Sequence, residues 1–133
     1  MSVPKSLSVS MAAFILICAI PAAFAAALTK EAAEFIARER FVASVLSNPK
    51  TKMEHCRAAE QRAAQFDRDP FYDGLVSECL GGAELSLNNK RQGCDYLVRA
   101  SAEFRAVPKT HAEYSTAREE ISKLSKWRSQ IGC

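Results

Sequence analysis

Residues 69–98 read DPFYDGLVSECLGGAELSLNNKRQGCDYLV, and this stretch decides the fold. Asp69 and Pro70 favour a helix start, because aspartate caps free backbone N–H groups and proline at the first helical position loses no hydrogen bond. Apolar side chains then recur at helical spacing until Asn88–Asn89 interrupts the pattern. A second apolar stripe begins at Cys94. The stretch therefore predicts two helices joined by a short turn.

Similar signals on both sides of this hairpin predict three further helices. One runs from a capping residue, Thr29, to about Leu46, where Ser47-Asn48-Pro49 breaks it. The next opens with the capping box Thr51-x-x-Glu54, and the last opens with Thr110-x-x-Glu113 and stops at Gly132. Short connections favour antiparallel neighbours. We expect an all-α protein, an antiparallel helical bundle or stacked helical hairpins of about five helices.

The central hairpin also resembles a single helical hairpin of the tetratricopeptide type. Gly81, Gly93, Leu97 and Ala100 stand at the small- and large-residue spacings of that motif. No second copy follows at the 34-residue period. The resemblance therefore implies a packing geometry and not membership of that family.

The N-terminal residues are typical of a secretory signal peptide. Lys5 precedes the apolar run 11–20, and Pro21 is followed by the small-residue string 22–27. An uncleaved membrane anchor is the competing interpretation, because the apolar stretch is about long enough to span a bilayer. We expect residues 1–27 to be a cleaved signal peptide and 28–133 to be a single helical domain with no stable membrane span.

Four cysteines remain after the signal peptide, and an even number in an oxidising compartment predicts two disulfides. Cys56 and Cys79 are symmetric about the turn at residues 67–69, which favours Cys56–Cys79 with Cys94–Cys133. The alternative joins Cys79 to Cys94 across the next turn and Cys56 to Cys133. Both pairings stay open at this point. Either would staple the helices and hold Cys133 in place.

Charge and residue spacing argue against several classes of function. A formal net charge of +3, spread along the chain, is too weak to indicate nucleic-acid binding. The cysteines lack the close pairs typical of zinc sites, so we expect no metal and no cofactor. His55 and His111 are interpreted as surface side chains that belong to no visible catalytic constellation, and the serines lack a nucleophile motif. We therefore expect no catalytic residues.

Some aromatic and aliphatic residues are candidates for binding. Phe41, Val45 and Phe71 fall beside the main apolar stripes, so they could form an exposed surface that binds a partner. Tyr114 and Trp127 could line a pocket in the bundle.

The function expected from these observations is that of a small exported binding protein. We expect a periplasmic or secreted, non-enzymatic module that binds another protein of the cell envelope. Two alternatives remain, a periplasmic inhibitor or immunity-type protein and a helical bundle that binds a small ligand.

Overall fold

The computed structural model of the protein describes residues 26–133 and, before them, Ser2. The predicted signal peptide therefore lies largely outside the described residues. Over residues 26–133 the chain forms five helices and no strand, which confirms the predicted all-α class. The helices are α1 (Lys30–Val45), α2 (Pro49–Ala63), α3 (Pro70–Ser86), α4 (Lys90–Arg105) and α5 (Tyr114–Ile131).

Polar caps start the first three helices. The Thr29 hydroxyl accepts a hydrogen bond from the Ala32 N–H at 3.2 Å, and the Asp69 carboxylate accepts one from the Phe71 N–H at 3.0 Å, as predicted. The predicted start of α2 at Thr51 is wrong. Asn48 caps this helix by accepting from the Thr51 N–H at 3.1 Å, and proline occupies the first turn. Proline is compatible with a first helical position, so α2 begins earlier than the capping box indicated.

The predicted start of α5 at Thr110 is also wrong. The helix begins at Tyr114, and no side-chain cap forms at its start. His111 Nδ1 instead accepts the backbone N–H of Glu113 at 3.0 Å, while Nε2 lies 3.0 Å from a carboxylate oxygen of Asp69. This contact ties the loop before α5 to the start of α3, which a local sequence pattern does not reveal.

Helix α3 is central because it packs against three neighbours, α1, α2 and α4, while α5 packs on α4. Its approach to α4 is close at Gly81. A Cβ there would lie 2.8 Å from Leu97 Cδ2 and 3.2 Å from the Gly93 carbonyl oxygen. Glycine is therefore required for this helix crossing.

The apolar core has two parts, one on each side of α3. The first lies among α1, α2 and α3 and includes Ile36, Cys56, Ala59, Cys79 and Leu80. The second lies among α3, α4 and α5 and includes Leu75, Leu97, Phe104, Ala117 and Leu124. Because α3 contributes to both parts, it is buried on opposite sides.

Two disulfides join neighbouring helices. Cys56 of α2 pairs with Cys79 of α3. Cys94, near the start of α4, pairs with Cys133, which follows the C-terminal end of α5. This is the first of the two predicted pairings. Gly132 ends α5 in a left-handed conformation, with φ of 79°, which turns Cys133 back towards α4.

Candidate functional site

A groove of about 550 Å³ runs between α1 and α5, and we call it the α1–α5 groove. Helix α3 and the Cys56–Cys79 disulfide form its floor. It is open to solvent rather than enclosed. Its lining combines apolar with charged side chains and consists of Arg40, Ala43, Ser44, Lys52, Cys56, Glu78, Cys79, Gly82, Ala83, Leu85, Ser86, Trp127 and Ile131.

A network of ionic hydrogen bonds holds Arg40 in the groove. Its Nη2 donates to Glu78 Oε1 at 2.6 Å and lies 3.4 Å from Glu120 Oε2. Glu120 also accepts from Lys123 Nζ at 3.2 Å. The network therefore connects α1 to α3 and α5, and it fixes the direction of the Arg40 guanidinium.

Glu78 carries its charge in a poorly hydrated position. Burial raises the pKa of the Glu78 carboxyl, the nearby Arg40 lowers it, and the negative charge of Glu120 raises it again, with a net upward direction. Glu78 Oε2 is buried without a hydrogen-bond partner. The Arg40 guanidinium is therefore the group that stabilises an ionised Glu78.

The two serines of the groove use their hydroxyl protons within their own helices. Ser44 Oγ donates to the Phe41 carbonyl oxygen at 2.6 Å, and Ser86 Oγ donates to the Gly82 carbonyl oxygen at 3.0 Å. Each hydroxyl can still accept a hydrogen bond but has no second proton to donate. Lys52 makes no ion pair within residues 26–133.

No family model, curated protein or solved structure matches this chain. Its function is therefore inferred from the α1–α5 groove and from the surface beside it.

Two exposed apolar side chains lie beside the groove on α1. Phe41 is 64% exposed and Val45 is 66% exposed. They are four positions apart, and residues at this spacing are neighbours on one face of a helix. Phe71, predicted to share this surface, is only 5% exposed, so that part of the prediction is wrong. Its ring packs 5.8 Å from the Phe104 ring, because α3 is covered on the side that faces α4.

The two predicted pocket residues have different positions. Trp127 lines the α1–α5 groove, and its ring rests on α3 where Gly82 leaves space, since a Cβ there would lie 3.3 Å from Trp127 Cη2. Tyr114 is half-buried at the start of α5 and packs against the second part of the core. The structure therefore brings Trp127, but not Tyr114, to the groove.

Both histidines contact carboxylates and are partly buried, whereas the sequence predicted surface side chains. His55 Nδ1 bonds Glu39 between α2 and α1. His111 is bonded to Asp69, with 18% of its side chain exposed. Neither histidine is among the groove-lining residues. Their contacts join neighbouring elements of the fold.

The described residues contain neither a candidate metal site nor a helix suited to cross a membrane. Over residues 26–133, no three side chains of His, Cys, Asp or Glu come together as a metal site would require. None of the five helices combines the length and the apolar character needed to cross a bilayer.

The charged residues of the groove were missed by the sequence analysis. A usable signal was present in α3, whose only charged residues are Asp73, Glu78 and Glu84 in a mostly apolar segment. A carboxylate in a helix packed on several sides needs a partner, because burying an unpaired charge is costly. The pattern could have predicted a cation opposite Glu78, although not that Arg40 supplies it.

Proposed function

We propose that the protein is an exported, non-enzymatic module that binds another protein of the cell envelope. The observation that carries this proposal is the pair Phe41 and Val45, exposed one helical turn apart beside the α1–α5 groove. Exposed apolar side chains next to a concave surface are typical of protein-binding sites. Ser44, which lines the groove, lies between them in the chain.

Export is supported by two features of the chain. The first is the basic and apolar N-terminal pattern, which is typical of a signal peptide. The second is the pair of disulfides, which is compatible with an oxidising compartment outside the cytosol. The periplasm fits both features and is the proposed location.

Site-specific photo-crosslinking in the chain's own host cells tests the proposed function. A photoreactive amino acid at position 41 or 45 should form a covalent adduct with one envelope protein. Val98 is the matched control, because it is also apolar and 47% exposed but lies on α4. Adducts that form equally from position 98, or no adduct from positions 41 and 45, would contradict the proposal. An adduct with a hydrolase or a toxin would instead support the inhibitor or immunity-type alternative.

The α1–α5 groove favours a second candidate, a bundle that binds a small ligand beside Trp127. Its volume of about 550 Å³ is within the range of small-molecule sites. Such sites enclose most of their ligand, whereas this groove is open to solvent and two exposed apolar residues, Phe41 and Val45, follow its lining residues in the chain. These two properties favour a protein segment as the occupant.

A further inference from the structure

The apolar part of the α1–α5 groove is suited to one large apolar side chain. Trp127 and Ile131 form the α5 side, and Leu85 contributes from α3. Gly82 has no side chain and so allows the edge of the Trp127 ring to lie close to α3. Aromatic rings in such concave surfaces are typical anchors of protein recognition.

The polar part of the groove offers cationic donors. Arg40 uses Nη2 for its two carboxylate contacts, and a guanidinium has further N–H groups on Nη1 and Nε. Lys52 has three N–H donors and no ion pair within the described residues. The serine protons are already donated to backbone carbonyls. The side-chain donors that remain for a partner are therefore the Trp127 indole N–H and those of the two cations.

The charges of the lining leave a positive excess. Arg40 offsets the charge of Glu78, Lys123 offsets that of Glu120, and Lys52 adds an unpaired positive charge. Glu78 Oε2 has no partner, but this atom is buried and does not face an occupant at the surface. Charge complementarity thus favours an occupant that carries a carboxylate.

We infer that the α1–α5 groove receives an acidic and apolar segment of the partner protein, with an apolar side chain against Trp127 and a carboxylate at Lys52. This inference rests on the proposed function and names the chemistry of the partner. The segment also contacts Phe41 and Val45, which are exposed and follow the lining residues Arg40 and Ser44 in the chain. The Arg40 guanidinium, held by Glu78 and Glu120, is a second cation for the partner's carboxylate.

A random peptide library displayed on phage tests this inference against the full, oxidised chain. Enriched peptides should place Asp or Glu within a few residues of an aromatic or branched aliphatic side chain. The most enriched peptide, once synthesised, should bind the Lys52→Glu variant about tenfold more weakly, as for a residue central to a binding site. Lys50→Glu is the matched control, because Lys50 is an exposed residue of the same helix and does not line the groove. That control should bind the peptide as the parent does.

A second variant tests the apolar contact. Trp127→Ala should also bind the peptide about tenfold more weakly. Circular dichroism and thermal melting show whether this variant is folded. Loss of binding in Lys52→Glu alone is sufficient support if Trp127→Ala does not fold. Enrichment of peptides without acidic residues, enrichment of none, or unchanged binding by Lys52→Glu would overturn the inference.

Other occupants of the groove give distinct results. A dimer in solution that Trp127→Ala converts to a monomer would assign the groove to a second copy and overturn the inference. A rise in melting temperature with decanoate, without any enriched peptide, would assign it to a small carboxylate and also overturn it. Crosslinks from positions 41 and 45 that persist in Lys52→Glu at parental yield would leave the proposed function standing while contradicting the groove assignment.

Discussion

At the scale of single residues, Glu103 is a carboxyl in an unfavourable place for its charge. Its Oε1 accepts a hydrogen bond from the Ser77 hydroxyl at 3.0 Å, and its Oε2 is buried without a partner. Burial raises the pKa of Glu103, and the bond from Ser77 only partly opposes that effect. The folded protein therefore binds this proton more tightly than the unfolded chain does.

Replacing Glu103 by Gln should change the pH dependence of stability. A carboxyl with a raised folded pKa contributes stability that is complete below its ordinary pKa of 4.5 and is lost as the pH rises through the folded pKa. The glutamine variant lacks that loss. We therefore expect the free energy of unfolding of the variant minus that of the parent, both measured with urea, to increase progressively as the pH rises from 4.5.

An exposed position provides the control for this measurement. Glu119→Gln makes the same carboxyl-to-amide change at an exposed residue on α5. A difference between Glu103→Gln and the parent that stays constant with pH would contradict the prediction.

At the scale of the helices, the crossing of α3 and α4 depends on one glycine of an adjacent pair. Gly81 faces Leu97 and the Gly93 backbone, whereas Gly82 faces the edge of Trp127. Leu97 is fully buried, but Trp127 is half-buried at the groove and has room to shift. The two glycines therefore have different tolerance for a side chain.

Gly81→Ala should destabilise the protein by about 1 to 3 kcal/mol, because its Cβ would force α3 and α4 apart. Gly82→Ala, one residue along the same helix, should change stability by less than about 1 kcal/mol, since the gain in helix propensity offsets the tighter contact. Urea denaturation of the two variants measures the difference. Equal losses at both positions would contradict the different tolerance of the two glycines.

The ends of the helices were predictable where contacts between residues close in the chain determine them. Thr29, Asp69 and Gly132 mark helix ends through contacts within a few residues, so their patterns identified the boundaries correctly. The α5 start was missed because His111 bonds Asp69, which is 42 positions away in the chain. Long-range contacts of this kind carry no periodic signal in the sequence.

At the scale of the whole molecule, the surface was harder to predict than the fold. Phe41 and Val45 were identified because α1 packs through one stripe, which leaves the opposite face exposed. Phe71 was misassigned because α3 is covered on two sides, so lying beside a stripe does not mean exposure. The α1–α5 groove draws residues from four helices, and only their arrangement in space brings Arg40, Glu78 and Trp127 together.

Cys133→Ser should expose one thiol and lower stability. The lost link spans 39 positions, so the loop-entropy account gives a cost of about 3 to 4 kcal/mol. Alkylation of the denatured, unreduced protein followed by mass spectrometry should label Cys94 in this variant. The double variant Cys94→Ser, Cys133→Ser is the control and should have comparable stability with no label at position 94. A single variant that melts like the parent and leaves Cys94 unlabelled would contradict the pairing.

The two disulfides close successive rings, over 56–79 and 94–133, that do not overlap along the chain. A protease that cuts inside a ring, for example after the exposed Arg68, should leave one covalent molecule whose pieces separate only on reduction. A cut in the segment between the rings, for example after Lys90, should release two pieces without reductant. The position of a nick therefore determines whether the cleaved protein can come apart, which non-reducing and reducing gels would show directly.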